Sequence, residues 1–134
     1  MTVLVGYLPT PEGEAAFEAG LAEARRRGED LLLLNSPRSG AFVSPDVASA
    51  DVVGALTARS EEAGIQLQVR QGGHEGDTAE EVLRVADEID ASVVVIGLRR
   101  RTPVGKLIMG SNAQRILLEA ERPVLAVKPV RRGA

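Results

Sequence analysis

Two short runs hold the residues best suited to chemistry: Gly97 with Arg99, Arg100 and Arg101, and then Gly110, Ser111 and Asn112. A glycine lets a backbone approach an anion closely, and the free amides that open a helix place partial positive charge where an anion can sit. Gly110, Ser111 and Asn112 have the makings of such a seat, because Ser111 opens a stretch in which Ala113, Ile116, Leu117 and Ala120 recur at helical spacing. Ser111 and Gln114 also have the spacing of a capping box, which accounts for Ser111 without any ligand. The two readings are compatible, since a cap and a phosphate seat use the same atoms. The three arginines can supply bidentate, charge-assisted bonds to phosphate, or they are a solvated run like Arg25, Arg26 and Arg27.

Other chemistries find little support. Gly105-Lys106 is not a Walker A motif, because Arg100 stands where that motif needs glycine and Leu107 follows instead of Ser or Thr. Cysteine is absent and His74 is the only histidine, so neither a disulfide nor a transition-metal cluster is available. Asp77 and Glu80 fit a capping box, and Asp87, Glu88 and Asp90 fit a wet helix end, so no catalytic pair of carboxylates emerges. No catalytic residue and no metal site are therefore expected, and the chain is read as a non-enzyme. A net charge of -3 with one tyrosine, two phenylalanines and no tryptophan gives neither a basic field nor base-stacking platforms, so nucleic acid is not an expected partner. No apolar run approaches the roughly 18 residues that span a bilayer, and the first residues lack a basic segment followed by an apolar one. No membrane partner and a cytoplasmic location are the expectations.

The elements that must position these residues follow from periodicity. Residues 3–5 form a short buried strand, and Thr10-Pro11 supplies an N-cap with proline in the first helical turn. The first helix buries Phe17, Leu21 and Ala24 and closes on Arg25, Arg26 and Arg27, cations suited to the negative end of its dipole. Residues 31–34 are a second strand, followed by a Ser/Pro/Gly-rich loop from Asn35. Ser44-Pro45 opens a second helix with Val52, Leu56 and Ala63 inward and Gly64 at its end. Ile65, Leu67 and Val69 alternate with polar residues, the pattern of a strand at a sheet edge. A third helix, capped by Asp77 with Glu80 reaching back, lines one face with Ala79, Val82, Leu83 and Ala86. Residues 93–96 are a fourth strand, apolar on both faces, and residues 123–128 a fifth before a basic tail.

Strands alternating with helices imply one α/β domain over residues 1–134. Its core is a doubly wound, five-stranded parallel sheet with helices on both faces, and the polar third strand gives the order 3-2-1-4-5. The connections then reverse between strands one and four, where open α/β sheets bind ligands. The loops meeting there are residues 6–10 and 97–110, with Asn35 close by. The second of these runs to about thirteen residues, where such loops usually have roughly two to six.

The run from residue 93 to 127, with Gly-Asp-Thr-Ala-Glu at 76–80 before it, resembles the universal stress protein family, and the whole chain fits that family's layout. The resemblance implies a nucleotide motif of a glycine, two residues, a glycine, nine residues and then Gly-Ser or Gly-Thr. Gly97 holds the first place and Gly110-Ser111 the last, while Arg100 stands at the second glycine. It also implies an aspartate just past the first strand that contacts adenosine; the matching position is Leu8. The expected ligand is thus an adenine nucleotide, ATP with AMP and ADP as alternatives. Its phosphates would lie at Gly97, Gly110, Ser111 and Asn112 beside Arg99 and Arg100, and its base towards Leu8 and Asn35. The expected role is in stress response or signalling. A nucleotide-independent interaction module of the same fold, favoured by Leu8 and Arg100, stands as the alternative, with a weak phosphohydrolase behind it. Val124–Val127, apolar on both faces at the other sheet edge, points to a homodimer that covers it, as the resemblance also implies.

Overall fold

The computed structural model describes residues 1–35, 50–72, 77–100, 107–108 and 110–129. The order is β1 (Thr2–Tyr7), α1 (Pro11–Arg27), β2 (Asp30–Asn35), α2 (Ala50–Glu62), β3 (Leu67–Gln71), α3 (Thr78–Glu88), β4 (Val93–Gly97), β5 (Arg99–Arg100), β6 (Leu107–Ile108), α4 (Ser111–Glu119) and β7 (Val124–Val127). The Ser44-Pro45 helix start, His74, Arg101, Lys106 and the basic tail beyond residue 129 lie outside the described residues.

Five strands form one parallel sheet in the order β3-β2-β1-β4-β7, which is the expected 3-2-1-4-5 arrangement. Val5 is paired to Leu33 on one side and Val95 on the other, so the centre of the sheet is apolar in every direction. Alternate residues serve opposite faces. Val3, Val5, Tyr7, Leu31, Leu33, Val93 and Val95 pack with Phe17, Leu21 and Ala24 of α1 and Leu56 of α2. Leu4, Leu32, Leu34, Val94 and Ile96 pack on the other side with Ala79, Val82, Val85 and Ala86 of α3 and Ile116 of α4. Burial on both faces is why the strands read as continuous apolar runs. Each Val, Leu, Ile or Phe side chain among them contributes about 1.5–3 kcal/mol when fully buried.

The structure corrects four local expectations. The stretch after β4 is not loop alone: β5 and β6 pair antiparallel, Arg99 opposite Ile108 and Arg100 opposite Leu107. Strands of two residues are too short to show a period, and arginines carry no strand signal. In α3 Ala79, Val82 and Ala86 are buried as expected, but Val85 takes the inward place given to Leu83, which is only half-buried. Asp77 does cap α3, its Oδ1 accepting from the Ala79 amide at 2.9 Å, but Glu80 turns to Arg115 instead of closing the box. β3 starts at Leu67, because the Ile65 amide still donates to the Ser60 carbonyl at the end of α2.

Helix α1 lies unusually close to the sheet. A Cβ built on Gly20 would stand 2.3 Å from Val5 Cγ2 and 3.3 Å from Leu31 Cδ1. Gly54, by contrast, is exposed within α2 and would have nothing within 4 Å. Two glycine-to-alanine substitutions in helices should therefore act with opposite signs. Gly20→Ala overpacks the α1–sheet contact and should destabilise by about 1–3 kcal/mol, whereas Gly54→Ala gains helix propensity and should stabilise by about 0.5–1 kcal/mol. Urea unfolding midpoints of the two variants and the parent check this.

Candidate functional site

The crevice at the carboxyl ends of β1 and β4 is where the connections diverge, β1 leading to β2 and β4 leading away to β7. On the β1 side the chain turns at Leu8, whose carbonyl accepts from the Thr10 amide at 2.8 Å. Thr10 then caps α1 as its sequence foretells: extended, with Oγ1 accepting from the Gly13 amide at 3.1 Å and Pro11 in the first turn. Gly13 is a glycine for a steric reason, since a Cβ there would fall 1.7 Å from the Leu8 carbonyl oxygen. Gly97, the last residue of β4, has a matching neighbour: its Cβ would stand 2.1 Å from the Glu12 carbonyl oxygen and 3.0 Å from Glu12 Cβ. The close approach that Gly97 permits in this structure is thus to the first turn of α1.

Tyr7, the last residue of β1, is buried, and its hydroxyl donates to Glu14 Oε1 at 2.7 Å. Arg59 of α2 donates to Glu14 Oε2 at 3.1 Å, pairs with Glu18 and lies 4.8 Å from the Phe17 ring centroid. Burial, and then the bonded and charged Glu14, push the Tyr7 phenol well above its ordinary range, partly opposed by Arg59. Asn35 at the end of β2 is fully buried. Its Nδ2 donates to the Tyr7 carbonyl at 2.9 Å, and its own carbonyl accepts from the Gly72 amide at 2.7 Å. It fastens together the carboxyl ends of three strands.

On the far side, the Leu98 amide donates to the Val127 carbonyl at 2.7 Å, and the β5–β6 hairpin then leaves and returns to Gly110. Gly110 is the N-cap of α4, extended, with its carbonyl accepting from the Gln114 amide at 3.0 Å. Ser111 is accordingly the first helical residue and not the cap, so the Ser111–Gln114 capping box does not form. Glycine offers no side-chain acceptor, and Gly110, Ser111 and Asn112 are all exposed. The first turn of α4 also lacks acidic residues, whereas that of α1 has Glu12 and Glu14. Arg115, one turn into α4, pairs with Asp77, with Glu80 at 3.4 Å and with Glu119 at 2.8 Å, fixing α4 beside the start of α3. Among the described residues no group of three His, Cys, Asp or Glu is placed to hold a metal ion.

The structure therefore brings Leu8, Gly97, Asn35 and the Gly110–Asn112 turn to one end of the sheet, and places Arg99 and Arg100 in the hairpin between Gly97 and Gly110. Sequence reasoning missed Glu12, Gly13 and the Tyr7–Glu14–Arg59 chain. One signal was available: a glycine in the first turn of a well-capped helix is costly in propensity and marks a close backbone approach.

A model of the universal stress protein family matches residues 1–128. The chain belongs to the universal stress protein family. A universal stress protein of Mycolicibacterium smegmatis is 44% identical over 127 residues, covering 95% of this chain and 97% of that protein. Among solved structures, a universal stress protein from Archaeoglobus fulgidus superposes with a TM-score of 0.77 at 28% identity, covering 95% of this chain and 97% of the other. A universal stress protein from the same organism in complex with dAMP superposes with a TM-score of 0.72 at 23% identity, covering 95% and 96%. No helix among the described residues is long and apolar enough to cross a membrane.

The Tyr7 hydrogen bond has a consequence in alkali. A raised phenol pKa means that the folded state holds the proton more tightly, so its stabilisation is complete below the unfolded value of 10.0 and is lost as pH rises above it. Tyr7 is the only tyrosine, so tyrosinate absorbance reports it alone. In a pH titration that absorbance should appear later than in free tyrosine and together with unfolding. Tyr7→Phe should lower stability near neutral pH by about 0.5–1.5 kcal/mol and flatten its decline in alkali.

Proposed function

We propose that the protein binds an adenine nucleotide in this crevice, with the phosphates at the exposed, uncapped start of α4 and beside Gly97. The observation that carries the reading is the contrast between the two helix starts. α1 is capped by Thr10 and dressed with two carboxylates, while α4 opens on Gly110 with neither. An anion is favoured at the second and disfavoured at the first. The dAMP complex of the Archaeoglobus relative supports the ligand class. Leu8, half-buried, offers an apolar wall for the base; Asn35, with its amide engaged inward, shapes that wall. ATP is the proposed physiological ligand, with AMP and ADP bound by the same seat and Arg99 and Arg100 of the hairpin supplying charge for the longer phosphate tail. The proposed role is a non-enzymatic, cytoplasmic stress-response or signalling module that reports nucleotide.

Affinity is expected to be micromolar or weaker, roughly -8 kcal/mol or less in magnitude. Titration calorimetry with AMP, ADP and ATP, together with melting shifts, tests this. No heat and no shift at millimolar nucleotide would overturn the reading in favour of a nucleotide-independent interaction module. Within it, Arg100→Ala should weaken ATP binding about ten- to hundredfold, roughly 1.5–3 kcal/mol, and less so at high salt. If the arginine instead obstructs the seat, Arg100→Gly strengthens binding. Equal affinities for the parent, Arg100→Ala and Arg100→Gly would return Arg100 to a solvated charge.

The module is proposed to act as a homodimer. β7 is a sheet edge whose four apolar residues, Val124–Val127, are all only half-buried, and such an edge invites a partner. Light scattering at micromolar concentration should give twice the mass of a 134-residue chain. A lone monomer would refute the dimer.

A further inference from the structure

Three carboxylates meet one guanidinium between the starts of two helices. Arg115 of α4 donates to Asp77 and, at 3.4 Å, to Glu80 at the head of α3, while its Nε donates to Glu119 of its own helix at 2.8 Å. Asp77 serves both helices, since one oxygen accepts from the Ala79 amide to cap α3 and the other takes Arg115. Among the described residues α4 has few other anchors. It is nine residues long, buries Ile116, half-buries Ala113 and Leu117 against the core, and has no side-chain bond at its Gly110 cap. A helix so short is marginal by itself. Exposed ion pairs stabilise little one at a time, but the rigid fork of arginine fixes a direction when each of its nitrogens has its own acceptor. A second clamp of the same kind lies at the opposite end of this layer. There Arg122, just before β7, pairs with Asp87 at 3.3 Å and with Asp90 at 2.7 Å, at and just past the end of α3.

We propose that Arg115 is a positioning residue for the phosphate seat: by tying α4 to the Asp77 cap of α3 it sets the direction in which the start of α4 presents its amides, and it does so without touching the ligand. The inference rests on the adenine-nucleotide reading above and concerns how that seat is held. All three guanidinium nitrogens are occupied by carboxylates. Because Arg122 ties the same layer together at the end remote from the crevice, the two clamps separate the orientation of the seat from the stability of the layer.

Titration calorimetry with AMP and with ATP on the full chain compares the parent with Arg115→Ala, Asp77→Asn, the double variant and Arg122→Ala, each confirmed folded by its melting curve. Arg115→Ala should weaken both nucleotides about three- to tenfold and by the same factor. Asp77→Asn keeps a good capping acceptor and removes a negative charge. Charge alone predicts tighter binding of an anion, whereas loss of the clamp predicts weaker binding, and the weaker binding is the expected result. The double variant should bind no more weakly than Arg115→Ala, because the two changes remove one shared interaction. Arg122→Ala should bind as the parent does even where its melting temperature falls. A larger loss for ATP than for AMP, or tighter binding by Asp77→Asn, overturns the proposal, since Arg115 would then meet phosphate itself. Unchanged affinity in Arg115→Ala, or an equal loss in Arg122→Ala, also overturns it while leaving nucleotide binding intact. Failure of the parent to bind either nucleotide overturns both readings.

Discussion

The approach of α1 to the sheet is the constraint on which the site depends. Gly13, Gly20 and Gly97 each lack a Cβ where a neighbouring atom would stand within 1.7 to 2.3 Å. Side chains at Gly20 and Gly97 would push α1 away from the sheet, and one at Gly13 would displace the Leu8 turn that leads into it. The seated helix is then held by polar contacts at its start: Thr10 on the Gly13 amide, Tyr7 on Glu14, and Arg59 on Glu14 and Glu18. Exposed ion pairs of this kind add little stability. Here they settle orientation, because the buried Tyr7 hydroxyl needs its acceptor.

The second consequence is electrostatic. Of the helices that begin at this end of the sheet, α1 and α4 have starts of opposite character. Pro11 has no amide to offer, Thr10 occupies another, and Glu12 and Glu14 add negative charge, so the positive end of α1 is consumed internally. At α4 the cap is a glycine and no carboxylate lies in the first turn, so the partial charge of the helix start faces outward.

Much of this architecture was legible in the residues. Unbroken apolar runs at 31–34 and 93–96 suited strands covered on both faces, and the alternation from Ile65 to Arg70 pointed to an edge strand and so to the order the sheet has. The α1 and α3 caps were equally plain, because Thr10 and Asp77 act on neighbours two or three residues away. What escaped was non-local or too short. The neighbour of Gly97 is a residue 85 positions earlier in the chain. The inward engagement of Asn35 depends on β1 lying beside β2 in register. The Ser111 capping box failed by a single residue, since serine and glycine compete for the N-cap and the glycine took it.

Leu8 and Arg100 depart from the family pattern, and their effect is best judged by magnitude. A missing charged hydrogen bond is worth about 1.5–3 kcal/mol, against about 8 kcal/mol for a micromolar ligand. One such loss would alter affinity by ten- to hundredfold and would leave the proposed seat at the start of α4 standing.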